Sequence, residues 1–428
     1  MKYALTNIHI LNGHADMTVC DGKAVLVDGE TIAGIVDETA VPADYKCENM
    51  EGRYLLPGLI NLHIHIPSSG KPSKKKKDYE KIAKLLQFGP VRTVVRKMCA
   101  GYAKLQLLSG TTTVRAVGGV LDFDTGLRDR INAGKAVGPR ILAADYAVSV
   151  PGGHMTGSVA LPAHSVEEAV QMVRALDRQH PDLIKLMITG GVLDAEVPGE
   201  PGVLKMPEEY VLAATQEAHR LGYKVAAHVE STEGMLVALR SGVDTLEHGG
   251  KPNDEVIRLF RETGAALIAT LSPAIPFACM DPSVTGMTEV DLINGKALFE
   301  NMRACIRACL DNGIPVGLGT DTGCPFTTHY DTWRELLYLC KYCDVTPAFA
   351  LHTATQINAR IAGIEDVTGT VDAGKSADLL IVSGNPLEDL RVLRQPAAVV
   401  FRGKLLRYPK VKKYPLVERE LDKVLSVK

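Results

Sequence analysis

The 428-residue chain has no uninterrupted apolar run of 18 residues, so no segment reads as a bilayer-spanning helix. Neither sign of charge is in excess. The formal net charge is −2 with 23% of residues charged, which argues against nucleic acid or a membrane surface as the main partner. The opening "MKYALTNIHILNG" lacks the apolar length of a secretory signal. No Gly-rich dinucleotide fingerprint follows an early strand pattern, and there are no internal repeats or low-complexity stretches. A paired complement of cysteines is missing too. Nine cysteines without a signal read as free thiols in a reducing cytoplasm. Cys305-x3-Cys309 and Cys340-x2-Cys343 fall on predicted helices and read as core thiols rather than a second metal site.

What is present is ample apolar material, 46% of residues, enough for the large core of a soluble enzyme. From about residue 57, apolar β-branched runs alternate with amphipathic helices. Strands are expected at 59–65, 112–117, 140–145, 183–188, 224–228, 243–247, 266–270 and 315–320. The helical stretches between them have readable ends: "MPEEYVLAATQEAHRLG" has Pro207 and acidic residues at its start and Gly222 as its stop. "TEGMLVALRSG" and "DEVIRLFRETG" also end on glycine.

Eight such repeats predict parallel strands in an α/β fold, a (β/α)8 TIM barrel with its site at the strands' C-terminal ends. Both chain ends have hairpin-like patterns instead. The expected division is a composite β-sandwich from 1–56 and 370–410, a barrel over 57–369, and a C-terminal extension over 411–428. The one charge run, "GKPSKKKKDYEK", follows strand 1 and reads as a solvated loop, with a lid or anion-attracting rim as the alternative.

Strand 1, "LINLHIH", puts His63 and His65 on one face and Ile60, Leu62 and Ile64 on the other, because side chains two apart share a face. One buried histidine is ordinary core. Two on one face suggest metal ligation. Polar residues also end other apolar strands: Lys185 lies within strand 4, His228 ends strand 5, His248 follows strand 6, and Asp321 follows strand 8. All six would converge at the mouth of the barrel. Imidazole and carboxylate donors suit zinc, iron or manganese. An ammonium beside such cations is disfavoured, so a buried Lys185 should lose its proton. A neutral amine can add carbon dioxide and become an anionic carbamate; the plain alternative is a salt-bridged core lysine.

Together these residues resemble the amidohydrolase superfamily, over the barrel and both flanks. The resemblance implies a metal-dependent hydrolase with two divalent ions, zinc before iron or manganese. His63, His65 and Asp321 would hold one ion and His228 and His248 the other. N6-carboxylysine at Lys185 and a hydroxide would bridge them, with Asp321 as general acid and base. "GTTTVRAVGG", "GPRILAADYAVSVPGGH", "LIKLMITGGV" and "GKSADLLIVSGNPLEDL" are similar to the branch of Xaa-Pro and Xaa-Arg/Lys dipeptidases and imidazolonepropionase-like hydrolases. That branch implies cleavage of an amide C–N bond in a dipeptide or N-acyl amino acid, with a cyclic-amide hydrolase as the alternative.

His154 matches a loop histidine that contacts the substrate carbonyl in those enzymes, and could equally make a structural hydrogen bond. Those dipeptidases commonly have a tyrosine two residues after the strand-5 histidine, near the substrate carboxylate. Here Glu230 stands there. A carboxylate would prefer a cation or hydrogen-bond donor, or belong to the surroundings of the ligands. His329 is a weaker substrate-contact candidate. His219 and His352 fall on helices and read as structural. A deaminase usually has a glutamate three residues after the strand-5 histidine and no bridging lysine, so it fits less well. A non-catalytic scaffold fits least, since every ligand position is filled. The expected partner is a small-molecule amide, with homo-oligomerisation open.

Overall fold

A computed structural model describes residues 2–73, 82, 85–195 and 197–426. Most of the basic run after strand 1, residues 74–81, lies outside the described residues. The chain divides into two compact units. One comprises Met1–Asn61, Lys104–Val114 and Tyr330–Lys412; the other comprises Leu62–Ala103, Arg115–His329 and Lys413–Lys428.

In the first unit, strands from both ends of the chain form a single eight-stranded sheet. Lys46–Pro57 lies in the middle, parallel to Lys2–Leu11 and antiparallel to Leu379–Val382. Leu5, Ile8, Val25, Val27, Leu55, Leu379, Ile381 and Val400 pack into one buried cluster. The expected β-sandwich is thus, by its pairing, one continuous sheet. Burying these side chains removes apolar surface from water at about 25 cal/mol per Å².

The second unit carries most of the alternating pattern, with residues 59–61 and 111–114 falling in the first. Strand 4 (Leu183–Met187), strand 5 (Lys224–Val229), strand 6 (Thr245–His248), strand 7 (Ala266–Ala269) and strand 8 (Val316–Leu318) pair in parallel in that order. Strand 1 (Leu59–Ile64), strand 2 (Thr111–Ala116) and the first part of strand 3 (Arg140–Ala143) form a three-stranded sheet. Backbone bonds complete the circuit. Asp182 N donates to Ala143 O at 2.8 Å, and His65 N donates to Thr322 O at 2.7 Å. Parallel strands joined by helices in a closed hydrogen-bonded circuit are the arrangement of a TIM barrel.

Strand 3 departs from expectation. The predicted run 140–145 ends at Ala143, in the sheet with strand 2, and a second, unpredicted piece, Ala147–Ser149, pairs with strand 4. Asp145, at φ 55°, turns the chain between the two pieces. The helices start and stop close to their signals. Glu208–Arg220 begins just after Pro207; Thr232–Arg240 and Asp254–Thr263 are capped by the side chains of Ser231 and Asn253. Cys305, Cys309 and Cys343 are buried, Cys340 is half-buried, and all nine cysteines are free thiols.

Candidate metal centre

At the C-terminal ends of these strands, six of the sequence-predicted residues come together. His63 is 1% exposed, Lys185 0%, His228 3%, His248 3% and Asp321 8%. Donor atoms of His63, His65 and Asp321 lie within 4.8 Å of one another, and so do those of His228, Glu230 and His248. Asp321 Oδ1 is 3.4 Å from His63 Nε2 and 3.1 Å from His65 Nε2. The rings of His63 and His248, and those of His228 and His248, are each 4.8 Å apart, so the two groups adjoin.

The far nitrogens are tied down. His63 Nδ1 bonds Glu247 Oε2 at 2.7 Å, His65 Nδ1 bonds Gly118 O at 2.9 Å, and His248 Nδ1 bonds Thr270 Oγ1 at 2.6 Å. His228 Nε2 lies 3.3 Å from Gly190 O. His63, His65 and His248 are thus each held at Nδ1, the usual way a protein orients metal-binding histidines, while His228 Nε2 also lies 3.9 Å from Glu230 Oε1.

Backbone strain makes this possible. Simple alternation would send Glu247 and His248 to opposite sides of strand 6. His248 has φ 71° and Asp321 φ 54°, left-handed values rare for such residues. These turns let Glu247 meet His63 from below while His248 joins the centre. Gly319 is needed under His63: a Cβ there would lie 2.5 Å from the His63 Cβ.

A charged network underlies the first group. Glu247 is 0% exposed and accepts from Arg115 Nη2 at 2.7 Å and Thr245 Oγ1 at 2.8 Å. Arg115 also donates to Leu62 O at 2.7 Å. Burial pushes the Glu247 pKa up, but Arg115, His63 and Lys185 outweigh it and hold the carboxyl well below its ordinary range. Burial likewise acts upward on Asp321, and the bonds to His63 and His65 overcome it. Both are carboxylates at neutral pH.

Lys185 is the outlier. Its Nζ is buried and makes no hydrogen bond. Burial lowers its pKa to about 8, with Glu247 opposing and Arg115 assisting. An unpartnered buried amine beside a converging set of imidazoles and a carboxylate fits a group that is to be modified and to bind cations. The donor set suits divalent metal ions. Burial first, then neighbouring imidazoles, keeps His228 and His248 neutral and able to ligate.

Around the centre, His154 stacks on His228 with centroids 4.1 Å apart and planes 9° from parallel. Its Nδ1 makes a short bond to Asp194 Oδ2, which also accepts from Gly191 N at 3.0 Å. Glu230 is 8% exposed and its Oε2 has no partner. Burial, then the charges of Asp321 and Asp194, raises its pKa well above the ordinary value. His329 is buried; its Nε2 bonds Ser68 O at 2.7 Å and Tyr102 stacks on its face at 4.9 Å. Those contacts tie it to the loop after strand 1 and to the helix Gly89–Leu108. A cavity of about 310 Å³, lined by Gly191, Asp194, Gly202 and Lys205 among others, opens beside this region. His219 bonds Asp244 and His352 bonds Gly13 O, both on helices as expected.

Sequence reasoning missed Glu247, Arg115, Asp194 and Thr270. A signal existed for two of them: Arg115 and Glu247 are charged residues within predicted strands. Asp194 and Thr270 carry no such mark, because they matter only through partners distant in the chain.

Residues 54–406 match the model of the amidohydrolase family. A crystal structure of a candidate prolidase from Bifidobacterium longum superposes with a TM-score of 0.88 at 34% identity, covering 99% of both chains. That of a Xaa-Pro dipeptidase with methionine in its active site gives 0.82 at 27%, covering 95% of this chain and 100% of that one. Among sequences, ochratoxinase of Aspergillus niger is 26% identical, over 90% of this chain and 83% of its own. Imidazolonepropionase of Deinococcus radiodurans is 25% identical, over 86% and 87% respectively. The chain belongs to the amidohydrolase family, and is an enzyme that hydrolyses amide bonds.

Proposed function

We propose that this enzyme is a dipeptidase-like hydrolase that uses two divalent ions to cleave the amide bond of a dipeptide or N-acyl amino acid. The observation that carries the reading is the bare, fully buried amine of Lys185 among His228, His248 and Asp321. His63, His65 and Asp321 would hold one ion and His228 and His248 the other, with zinc as the metal and iron or manganese as substitutes. Lys185 would join both groups as N6-carboxylysine: the neutral amine attacks carbon dioxide, an N–C bond forms, and a proton leaves. When bound, two cations supply Lewis acidity that activates water and polarises a carbonyl.

The chain's own residues do the rest. Asp321, held ionised, takes the proton from the attacking water and returns it to the leaving nitrogen. His154, oriented by Asp194 and by its stack on His228, donates a hydrogen bond to the carbonyl oxygen as charge grows there. Glu230 lines the substrate side, and His329 braces the loop carrying Ser68. The terminal sheet folds over as a sandwich in this reading, and the enzyme works in the cytoplasm on a small-molecule substrate. Among the described residues no helix is long and apolar enough to cross a membrane.

A cyclic-amide hydrolase is the second reading, carried by the imidazolonepropionase relative. The test is a panel of dipeptides, N-acyl amino acids, lactams and imides, assayed with metal-reconstituted and chelator-stripped enzyme. Metal-dependent cleavage of an acyclic amide is expected. Turnover of cyclic amides alone would give the second reading the place of the first, and turnover that survives complete metal removal would overturn both.

A further inference from the structure

Glu230 is the one acidic side chain of the centre whose carboxylate is buried with an oxygen left over. It accepts from the Val192 backbone, its Oε1 lies 3.9 Å from His228 Nε2, and among the described residues its Oε2 meets no donor. Its neighbours are the carboxylates of Asp321 and Asp194. Leaving such an oxygen unmatched costs several kcal/mol, so the occupant of the site should bring a hydrogen-bond donor to it. One of its oxygens lies within 4.8 Å of donor atoms of His228 and His248, so whatever it binds sits beside the reacting carbonyl.

From this geometry we infer that Glu230 binds the free α-ammonium of the residue whose carbonyl is attacked, so that the enzyme reads unblocked dipeptides rather than N-acyl amino acids. The argument is one of reach. An α-nitrogen is two bonds from the carbonyl carbon. The ammonium of a lysine side chain is six bonds away and would be carried past Glu230. An ammonium there supplies the missing donor. An acyl group would present only carbon to Oε2 and leave it unpaired. Gly202 packs against this position, where a Cβ would lie 2.5 Å from the Glu230 carbonyl carbon, and so holds the strand-5 tip down. The inference rests on the reading of the site as an amide hydrolase of small peptides, and narrows it.

The test uses pairs that differ only by the amine. L-alanyl and propionyl derivatives of the same amino acid are compared as substrates of the zinc-loaded enzyme. L-alanine hydroxamate and propionohydroxamate are compared as ligands, by inhibition and by thermal shift, in wild type and Glu230→Gln. We expect the amine-bearing member to be favoured roughly ten- to hundredfold in wild type, the worth of one charge-assisted hydrogen bond. The ratio should fall close to one in the variant, with metal content unchanged. Equal binding of the two hydroxamates to wild type would overturn the inference. So would loss of bound metal in Glu230→Gln, which would make Glu230 a ligand. Absence of any turnover together with a persistent hydroxamate preference would sink the peptide-hydrolase reading and leave the ammonium site standing.

Discussion

The two halves of the centre are built on different plans. On one side, His63, His65 and Asp321 satisfy one another: the carboxylate bridges both imidazoles, and Glu247, itself paired with Arg115, grips His63 from behind. On the other, the hydrogen-bonded supports of His228 and His248 are neutral, Gly190 O and Thr270 Oγ1, and beside them Lys185 Nζ and Glu230 Oε2 have no hydrogen-bond partner. The first half is complete as a hydrogen-bonded cluster. The second leaves buried polar groups whose matching, in the proposed reading, would come from carbon dioxide, metal and substrate. A folded protein can thus keep the first half in shape unaided and leave specificity and loading to the second.

The sharpest way to break this contrast is Lys185→Ala. It should abolish measurable turnover, a loss of at least ~10³-fold given what metal-activated chemistry supplies, and lower the metal content per chain. Short carboxylic acids added to the mutant should restore part of both. Wild-type turnover in the mutant would remove the lysine from the centre. For the native enzyme, the lowered pKa of about 8 leaves more neutral amine at neutral pH than an ordinary lysine has.

A smaller effect should separate the two kinds of support. Glu247→Gln should weaken metal binding about 10- to 100-fold, as removal of such histidine supports does. Thr270→Val, which deletes only a neutral hydroxyl behind His248, should cost less. Competition with a chelator of known affinity reads both. If Thr270→Val proved the more damaging, the charged network would not be what distinguishes the first half. Glu247→Ala should also lower stability by about 3–5 kcal/mol, because it strands the buried Arg115.

The smallest expected change is in pH dependence. His228, His248 and His329 all have pKa values lowered chiefly by burial, His329 to about 4. A group whose folded pKa is depressed stabilises the fold above its unfolded pKa, near 6.5 for imidazole. That stability is lost as pH falls toward the folded values. Metal-free protein should therefore lose melting temperature between about pH 6.5 and about pH 4, and metal-loaded protein less at the upper end of that window. A flat profile for the stripped protein would show that these rings are not buried neutral.

Much of this was legible in the chain. The strand–helix alternation placed all eight strands within a few residues, because buried parallel strands need continuous apolar runs and helices between them need capped ends. The ligand positions stood out for the same reason: His63 and Lys185 interrupt runs that packing alone would fill with Val, Ile or Leu. The break in strand 3 was not legible, since Asp145 in a left-handed turn looks locally like any aspartate at a strand end. The union of the two chain ends in one β-domain was expected, but not that their strands pair in a single sheet, with Lys46–Pro57 against a strand more than 300 residues away.

By itself, the order of residues determined which side chains could carry charge into an apolar interior, and roughly where along each strand. Only the tertiary structure decided what those charges meet. Two left-handed residues, His248 and Asp321, turn donors inward that alternation would have sent elsewhere, and long-range packing sets Arg115 under Glu247 while leaving Lys185 and Glu230 without partners. Periodicity is a property of neighbours in the chain, whereas a hydrogen-bond partner, or the lack of one, depends on strands that meet only when the barrel closes.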